Sequence, residues 1–570
     1  MPTIALHHHD LEQLTGRKIE LDQLAELLEL VKGELKSTAP DSDELRVELN
    51  DTNRPDLWCV EGIARQLRFK LNPQDTPYNF FSKKTEATHH VQVEASVREV
   101  RPLIGGFIVK GVKVNEPLLL QLIQTQEKLC ENYGQKRRSF AIGVYPLKDI
   151  VFPLRYSAVA PDELTFVPLG AEEEMSLRKI LSEHPKGKEY AHLLEGLSRY
   201  PIIRDSTGGV LSFPPIINSK HLGEVSCGDS DLFVEATGFS LEPLALALNI
   251  LAYNLADRGA EILPVSVSYD FECSWSQQLN FPYKLDNSVR LPLEEFSRLS
   301  GEKLSTEDIT KHLNAYGCSI AVSGNEICVS TESYRLDYLH PVDAIEDYLI
   351  SRGYSSFEVE APKDFTVGAV SPITTFSDYV RRTVAGFSFE EVISNVLMSK
   401  EEVTTKTPGL EPSVEIENVM IETYAVVRSS LIPGLLKLEA ASQKALYPHR
   451  VFEVGEVVSF NPENTLGCDT WTACTLLLSH AESNFSELHG YLDHLIYHLD
   501  LEYELQPAQS ELFMQGRAGK ILIAGKSYGM IGELAPQVLD NWGIRTPCAA
   551  FELNLTALLP LCTNEKTDQP

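Results

Sequence analysis

Four carboxylates close together in the chain have the residue types and spacing that suit metal binding. Asp343, Glu346 and Asp347 stand at positions i, i+3 and i+4, so a helix would carry them on one face near its first turn. Asp337 precedes that helix and is able to fold back toward it. Clustered carboxylate oxygens suit a hard cation such as Mg²⁺. An acidic helix N-terminus stabilised by the helix dipole explains the same spacing, and spacing alone favours this simpler explanation.

A second group of polar residues lies in the middle of the chain, in segments 200–219 and 231–238. Gly208 and Gly209 indicate a tight turn between two strands, and the Pro-Pro pair at 214–215 fixes the exit from the second strand. Four side chains from these segments would line one polar pocket: Ser212, Asn218, Glu235 and Thr237. Ordinary hairpin chemistry explains the same pattern, so these residues alone do not define a site.

Three further motif-like patterns are rejected. Residues 525–529 fit the G-x-S-x-G pattern of hydrolase nucleophiles, but residues 530–534 have the pattern of a returning strand where that motif needs a helix. We therefore predict a hairpin turn. Residues 519–527 have one residue too many for a phosphate-binding loop. His494 and His498 fall outside the apolar stripe of their predicted helix, which favours a solvated face over a zinc site.

The elements that must position these residues form a multidomain α+β pattern. Near the N-terminus, residues 11–19 precede a helical leucine pattern, and residues 296–304 repeat this arrangement. The chain is therefore predicted to carry two copies of a small α/β module. Chance similarity is the alternative explanation. The predicted domains are residues 1–85 and 280–360 for the two modules, 90–275 for a central α+β domain, and 365–570 for a C-terminal α+β domain.

Local patterns predict the elements of the two larger domains. In the central domain we expect strands at 91–97, 107–114, 140–144, 164–168 and 231–236, and a helix at 243–257. In the C-terminal domain we expect strands at 450–460, 471–478, 520–524 and 549–554, and helices at 374–385 and 486–499.

Composition limits the classes of function. The 570-residue chain carries a net charge of −31, which argues against general DNA binding because such a chain repels nucleic acid. One local basic run, Lys136 to Arg138, meets either RNA or solvent. No apolar run is long enough to span a bilayer, and no secretory signal is visible. Ten scattered cysteines without a CxxC pair are typical of reduced thiols, so we expect a cytoplasmic protein.

Several blocks of sequence, taken together, resemble the beta subunit of phenylalanyl-tRNA synthetase, in its shorter archaeal and eukaryotic form. The resemblance covers nearly the whole chain. Its most specific blocks are residues 53–57 (NRPDL) with 60–65, 211–219, 334–337 (YRLD) with 340–347, 428–436, 452–456 (FEVGE) and 532–536 (GELAP).

The resemblance implies a subunit of an α2β2 heterotetramer that uses ATP to attach phenylalanine to tRNA(Phe). In this family the alpha subunit holds the activating site, and the C-terminal region of the beta subunit is an inactive copy of the class II synthetase fold. Residues 452–456 resemble a strand of that fold, while a Gly-rich stretch ending in an ATP-binding arginine is missing from residues 480–570. The two small modules resemble winged-helix-like domains, for which the acidic composition favours packing between domains over DNA binding.

The resemblance also implies two sites. Its Mg²⁺ site falls on Asp337, Asp343, Glu346 and Asp347, near the alpha subunit. Its editing pocket, which hydrolyses tyrosine wrongly joined to the tRNA, falls on Ile203, Ser212, Glu235 and Thr237. Family members often have a shorter acid at the position of Glu235, and this difference bears on the strength of editing. A second, hydrolytic selection is expected where binding alone does not separate similar amino acids.

Two other functions stay open from the sequence. The first is a free-standing hydrolase of mischarged tRNA, although a lone editing enzyme has no need for a large synthetase-like C-terminal domain. The second is a nucleic-acid-binding or scaffold protein without enzymatic activity, which would use the two small modules.

Overall fold

A computed structural model describes residues 2–38, 43–50, 53–72, 78, 81 and 86–562. The chain divides into two units, residues 1–360 and 361–570. None of the described helices combines the length and the apolar composition needed to cross a bilayer. The first unit contains two small modules and a central region, and the second unit is built around one further sheet.

The first small module carries a three-stranded antiparallel sheet in the order β1–β3–β2. Its helices pack their leucines inward, and Leu24 and Leu28 are buried. The turn that the Asn, Asp and Pro residues of segment 50–57 predict lies partly outside the described residues, at residues 51 and 52. The elements are β1 (Thr3–His7), α1 (His8–Thr15), α2 (Leu21–Leu28), β2 (Gly33–Thr38), β3 (Glu44–Leu49) and α3 (Val60–Leu71).

The central region is built on one large sheet whose strand order is β12–β11–β10–β7–β4–β14–β5–β13–β6, with β15 paired to β14. The long helix α8 buries an almost continuous apolar run against this sheet. The elements are β4 (His89–Val93), β5 (Leu103–Lys110), α4 (Glu116–Lys128), β6 (Phe140–Pro146), β7 (Leu154–Val159), β8 (Thr165–Phe166), β9 (Met175–Ser176), α5 (Leu177–Glu183), α6 (Pro185–Tyr190), β10 (Tyr200–Arg204), β11 (Val210–Phe213), β12 (Ile217–Asn218), α7 (Lys220–Gly223), β13 (Leu232–Gly238), α8 (Leu241–Asp257), β14 (Glu261–Tyr269) and β15 (Gln278–Phe281).

The second small module has the same order of elements as the first, and its sheet has the corresponding order β16–β18–β17. In both modules the first helix ends at a glycine in the left-handed region, Gly16 with φ 70° and Gly301 with φ 76°. A side chain there would be strained, which explains why the two segments share this residue. The elements are β16 (Asn287–Pro292), α9 (Leu293–Ser300), α10 (Thr306–Asn314), β17 (Ser319–Ser323), β18 (Glu326–Thr331) and α11 (Pro341–Arg352).

The second unit is built on a seven-stranded sheet in the order β19–β23–β24–β28–β27–β26–β25, antiparallel except for the pair β19–β23. Ala524 and Gly525, both with positive φ, form the hairpin turn between β26 and β27 that was predicted in place of a nucleophile. The elements are α12 (Pro372–Gly386), β19 (Glu390–Glu391), β20 (Leu397–Met398), α13 (Lys400–Thr404), β21 (Val414–Glu415), β22 (Val426–Val427), α14 (Ile432–Ser442), β23 (His449–Phe460), β24 (Cys468–Ser479), α15 (Phe485–His498), β25 (Glu504–Pro507), β26 (Phe513–Ile523), β27 (Lys526–Leu534), α16 (Pro536–Trp542), β28 (Cys548–Asn554) and α17 (Leu555–Cys562).

Candidate functional site

Strand β13 carries two of the predicted site residues, Glu235 and Thr237, on the same face of the central sheet, because side chains two residues apart point the same way. The strand lies between β5 and β6, and the residues opposite Glu235 are Gly106 and Gly143. The space that side chains at these two positions would take is filled by the Phe233 ring beside Gly106 and by Tyr145 and Glu235 themselves beside Gly143.

The missing side chain at Gly143 is what lets a tyrosine reach the acid. A Cβ at this position would overlap both Tyr145 Oη and Glu235 Oε1. Tyr145 lies two residues along β6 from Gly143, and its ring stacks on Phe233 with centroids 5.8 Å apart. The glycine therefore makes room for a contact between the phenol and the carboxyl.

Glu235 is buried, with 3% of its surface exposed, and one of its oxygens is unused. Tyr145 Oη donates a hydrogen bond to Oε1 at 2.7 Å, whereas Oε2 has no hydrogen-bond partner. Burial raises the pKa of Glu235 to about 7, although Tyr145 and the Arg101 guanidinium favour the charged form. The site thus holds a carboxyl that changes charge near neutral pH and has one oxygen free for a ligand.

Ser212 supplies the second unused polar atom. It is buried on β11, directly opposite Ile203 on one side and Asn218 on the other. Ser212 lies beside Tyr145, but its Oγ makes no hydrogen bond of normal geometry. A buried hydroxyl without a partner is uncommon in folded proteins and suggests a ligand or water position.

The curvature of the sheet brings the two unused atoms to one place. In strand order, β11 and β12 lie at the end opposite to β6 and β13. Yet Tyr145 on β6 also contacts Asn218 Oδ1 on β12 at 3.4 Å. The strands at the two ends of the sheet therefore face each other across the Tyr145 side chain.

Thr237 is held by an arginine that the sequence analysis did not identify. Arg101 Nε donates to Thr237 Oγ1 at 3.0 Å and Arg101 Nη2 donates to the Thr237 carbonyl at 2.7 Å. Burial lowers the pKa of Arg101 to about 10, and the nearby Glu235 opposes this change. Ile203 is fully buried and forms an apolar wall beside Ser212.

Sequence reasoning missed Tyr145, Gly143 and Arg101 at this site. Gly143 lies in the strand predicted at 140–144 and Tyr145 follows directly after it. If that strand continues by one residue, the i, i+2 spacing places a position without a side chain and a phenol on one face. That spacing was the available signal. Arg101 precedes its strand and offers no comparable pattern.

Two of the four carboxylates predicted to bind Mg²⁺ meet in the structure, and the other two lie with different partners. Asp337 and Asp347 both contact the buried Arg335 guanidinium, at 2.6 and 2.8 Å. Burial alone would raise the pKa of Asp337, but Arg335 and Arg54 lower it to about 2. An arginine thus stands where these two acids meet, and it supplies the positive charge that a metal would bring.

The other two carboxylates serve different partners. Asp343 Oδ2 accepts the backbone N–H groups of Leu339 and His340, each at 2.7 Å, and so closes the N-terminus of α11. Glu346 is paired with Lys32 of the first small module at 2.8 Å. Among the described residues no group of three or more His, Cys, Asp or Glu side chains is arranged to hold a metal ion. The chain by itself therefore does not fit the predicted ligand set.

Comparison with known proteins identifies relatives of nearly the same length. A family model for the phenylalanyl tRNA synthetase beta chain CLM domain matches residues 358–555, and one for the tRNA synthetase B5 domain matches residues 289–354. The phenylalanine–tRNA ligase beta subunit of Borreliella burgdorferi is 38% identical over 565 residues, covering 98% of this chain and 100% of the relative. The beta subunit of Treponema pallidum subsp. pallidum is 38% identical over 534 residues, covering 92% of this chain and 88% of the relative.

A solved structure is also similar. The crystal structure of an N-terminal fragment of the phenylalanyl-tRNA synthetase beta subunit from Pyrococcus horikoshii matches with a TM-score of 0.58 and 34% identity. The match covers 62% of this chain and the whole of that fragment.

Proposed function

The chain belongs to the phenylalanine–tRNA ligase beta-subunit family, and from that premise we propose that it assists an alpha subunit in charging tRNA(Phe) and itself removes wrongly attached tyrosine. Its relatives are ligases that act as complexes, so an alpha partner follows from the family. The α2β2 stoichiometry, the use of ATP by the alpha subunit and a cytoplasmic location are parts of the same proposal. The relatives named above that span the chain are bacterial, so the archaeal and eukaryotic qualifier stays a prediction.

The editing half of the proposal depends on the two unused polar atoms beside Tyr145. Tyrosine differs from phenylalanine by one phenolic hydroxyl, which both donates and accepts a hydrogen bond. Glu235 Oε2 can accept from such a hydroxyl, and Ser212 Oγ can donate to it or accept from it. Phenylalanine would leave both buried atoms unpaired, and a site of this kind rejects the analogue without the hydroxyl by a large factor.

The chemistry proposed is hydrolysis of the ester that joins tyrosine to the tRNA. Water adds to the ester carbonyl, the bond to the ribose oxygen breaks, and free tyrosine and uncharged tRNA are released. Glu235 and Ser212 hold the phenol. Arg101 fixes Thr237 through two hydrogen bonds, and Ile203 supplies an apolar wall. Side chains already fixed before the ligand binds lose little freedom on binding.

The second unit supports a role in assembly rather than activation. We propose that its seven-stranded sheet is a class II-like core without activating chemistry. Arg428 is buried, and its guanidinium contacts Glu453 at 2.6 Å and the Glu456 carbonyl at 2.9 Å. A guanidinium bonded in this way is not free to bind a triphosphate.

The same unit exposes large apolar side chains on three segments that connect its strands and helices. Ile393, Met420 and Leu446 are 93%, 98% and 95% exposed. Ile421 and Tyr424 are also exposed. Exposed apolar groups of this size favour burial against another protein. We assign these segments to the contact with the alpha subunit.

Magnesium takes no part in the proposed steps. The carboxylates of the predicted site already bind Arg335, Lys32 and backbone N–H groups. The ion at these residues stays a prediction for the complete enzyme. The two small modules, whose shared element order is consistent with winged-helix-like domains, are proposed to pack against neighbouring domains.

The decisive experiment compares the chain alone with the chain plus its alpha subunit. We expect phenylalanine charging only when both are present, and release of tyrosine from tyrosyl-tRNA(Phe) much faster than release of phenylalanine from the correct product. A chain that does not co-purify with the alpha subunit would contradict the assembly role. Equal release of both amino acids would contradict editing.

A further inference from the structure

We propose that a cavity of about 690 Å³ in the first unit binds a nucleotide of the tRNA strand that leads to the central site. It lies where strand β1, the start of α3, the end of α4 and the start of α8 meet. The polar residues that line it include Trp58, Lys128, Asn132, Tyr133, Gln135 and Ser139. Its volume is in the range of known small-ligand sites. The inference rests on the proposed function, since it assumes a tRNA substrate.

The first observation is an indole N–H without a partner. Trp58 is only 3% exposed, and its Nε1 makes no hydrogen bond. A buried N–H group almost always has an acceptor, and leaving it without one is costly. Because Trp58 lines the cavity, an acceptor oxygen of a ligand is the natural partner.

The second observation is positive charge without carboxylate partners. Lys128 lines the cavity, while Lys136 and Arg138 are exposed on the loop between Gln135 and Ser139, which line it themselves. Within the described ranges none of these three cations is in an ion pair. In a chain with a net charge of −31, unpaired cations at one place favour an anionic ligand. Phosphate groups of a nucleic-acid strand satisfy both the cations and the Trp58 N–H.

The loop itself is held in a fixed shape. Gln135, Lys136 and Arg137 all have left-handed backbone angles, with φ of 51°, 54° and 63°. The N–H groups of Lys136 and Arg137 donate to the carbonyls of Glu131 and Cys130 at 3.0 Å. Such angles are costly for side chains other than glycine and persist only where surrounding contacts hold them.

Arg137 anchors this loop instead of facing solvent. Its Nη1 donates to the carbonyls of Pro215 and Ile216, both at 2.9 Å, and its guanidinium lies over the Tyr190 ring at 4.1 Å. The three residues of the basic run, Lys136 to Arg138, therefore have two different roles. The middle residue fixes the loop, and its two neighbours remain for a ligand.

The same loop connects the cavity with the candidate editing site. Arg101, which holds Thr237, also donates to the Arg137 carbonyl at 3.3 Å. A strand bound at the cavity would pass beside the residues that hold Thr237. Asn132, Gln135 and Ser139 offer amide and hydroxyl groups to ribose or base edges, and aromatic Tyr133 offers a ring to a base.

The test measures binding of uncharged tRNA(Phe) to the full complex over a range of salt concentrations. The variants are Trp58→Phe, Lys128→Ala and the double variant Lys136→Ala/Arg138→Ala, with the exposed Lys303→Ala of the second small module as the matched control. We expect Trp58→Phe to raise Kd about fivefold by losing one hydrogen bond. Each removed cation should lower the salt dependence of log Kd by about one unit.

Thermal unfolding checks that the variants fold. A second readout is intrinsic fluorescence, which tRNA should change in the wild type and much less in Trp58→Phe. Unchanged Kd, salt dependence and fluorescence response in all variants would overturn the inference. Loss of the tRNA-induced fluorescence change on addition of free AMP or CMP, at the same concentration as the tRNA, would also overturn it. The cavity would then be a site for mononucleotides and not for a tRNA strand.

Editing by the central site and tRNA binding by the cavity are contradicted by different results. If the wild type releases tyrosine normally and the cavity variants bind tRNA as it does, the cavity inference fails and editing stands. If the wild type does not release tyrosine but the variants lose tRNA affinity, editing fails and the cavity still binds RNA. If the cavity variants release tyrosine more slowly, the cause should be a higher KM for tyrosyl-tRNA(Phe), with kcat nearly unchanged.

Discussion

Tyr145 Oη donates a 2.7 Å hydrogen bond to Glu235 Oε1, between residues 90 positions apart in the chain. The bond occupies one carboxylate oxygen and leaves the other free. It also fixes the carboxyl plane, because the phenol is itself held by stacking on Phe233. The hydrogen bond from Tyr145 therefore fixes the orientation of the Glu235 carboxyl, and Oε2 is left as an acceptor that points in one direction.

Replacing the free acceptor should impair editing. In Glu235→Gln the side chain keeps its shape but loses its charge, and half of its hydrogen-bonding positions become donors. We expect release of tyrosine from tyrosyl-tRNA(Phe) to slow by about tenfold or more, while phenylalanine charging by the complex persists. Single-turnover release assays measure the effect. Glu261→Gln, at an exposed position of β14, is the matched control. Equal release rates in both variants would remove Glu235 from the site.

Stability should depend on pH through the same residue. Burial raises the pKa of Glu235 from 4.5 to about 7. The unfolded chain loses this proton at lower pH than the folded chain, so ionisation favours unfolding between these values. The contribution of Glu235 is complete below pH 4.5 and is lost as pH rises through 7, by about 3 kcal/mol.

The thermal unfolding midpoint of Glu235→Gln relative to the wild type checks this sign. Because glutamine does not titrate, the variant should gain stability relative to the wild type as pH rises from 5 to 8. A difference between the two proteins that stays constant over this interval would show that Glu235 titrates normally. A difference that changes in the opposite direction would show a lowered pKa.

A side chain at Gly143 should impair both stability and editing. The added methyl group of Gly143→Ala would overlap Tyr145 Oη and Glu235 Oε1, so the two side chains must move apart. We expect a loss of about 1–3 kcal/mol in stability and a marked loss of tyrosine release. Gly490→Ala in α15 meets no atom within 4 Å and should be neutral or slightly stabilising. Normal release by Gly143→Ala would show that the Tyr145 bond is not needed.

The acidic cluster should respond to mutation as a set of ion pairs. Asp337→Ala leaves Arg335 short of one carboxylate in a buried position and should destabilise the chain by about 3 kcal/mol. Asp343→Ala removes a helix cap and should cost about 1 kcal/mol. Chemical denaturation measures both changes.

Addition of Mg²⁺ tests whether these carboxylates form ion pairs only or also bind a metal ion. Since each carboxylate already has a partner, we expect millimolar Mg²⁺ to leave the unfolding midpoint of the chain alone unchanged. A Mg²⁺-dependent rise that disappears in Asp343→Ala/Glu346→Ala would establish the ligand set instead. Repeating the measurement on the complex with the alpha subunit tests whether assembly creates the site.

The exposed apolar segments of the second unit should govern association with the alpha subunit. Met420→Asp and Leu446→Asp introduce charge where 98% and 95% of the side chains are exposed in the chain alone. The fold should tolerate both changes, while the fraction of complex in size-exclusion chromatography should fall. Val322→Asp, at a half-exposed position of β17 in the first unit, is the control. Undiminished complex formation by both variants would place the contact elsewhere.

Local sequence determined many of the elements, because they depend on short-range periodicity. The helix expected at 243–257 is Leu241–Asp257, and that expected at 486–499 is Phe485–His498. The strand expected at 91–97 was wrong in its second half, where the chain turns into a 3-10 helix at Ala95–Val97. The similarity between the two small modules also came from local chemistry, since each needs a left-handed glycine after its first helix.

The sequence by itself determined the α+β class, the repeated modules and the blocks that mark the beta-subunit family. Only the tertiary structure decided which polar groups meet. Pairing of β13 with β6 brings Tyr145 to Glu235, curvature of the central sheet brings it to Ser212, and packing of α11 brings Asp347 to Arg335. Arg137 likewise binds carbonyls 78 and 79 residues away. Periodicity is a property of neighbouring residues, whereas a buried charge is satisfied by whichever partner the packed chain brings within reach.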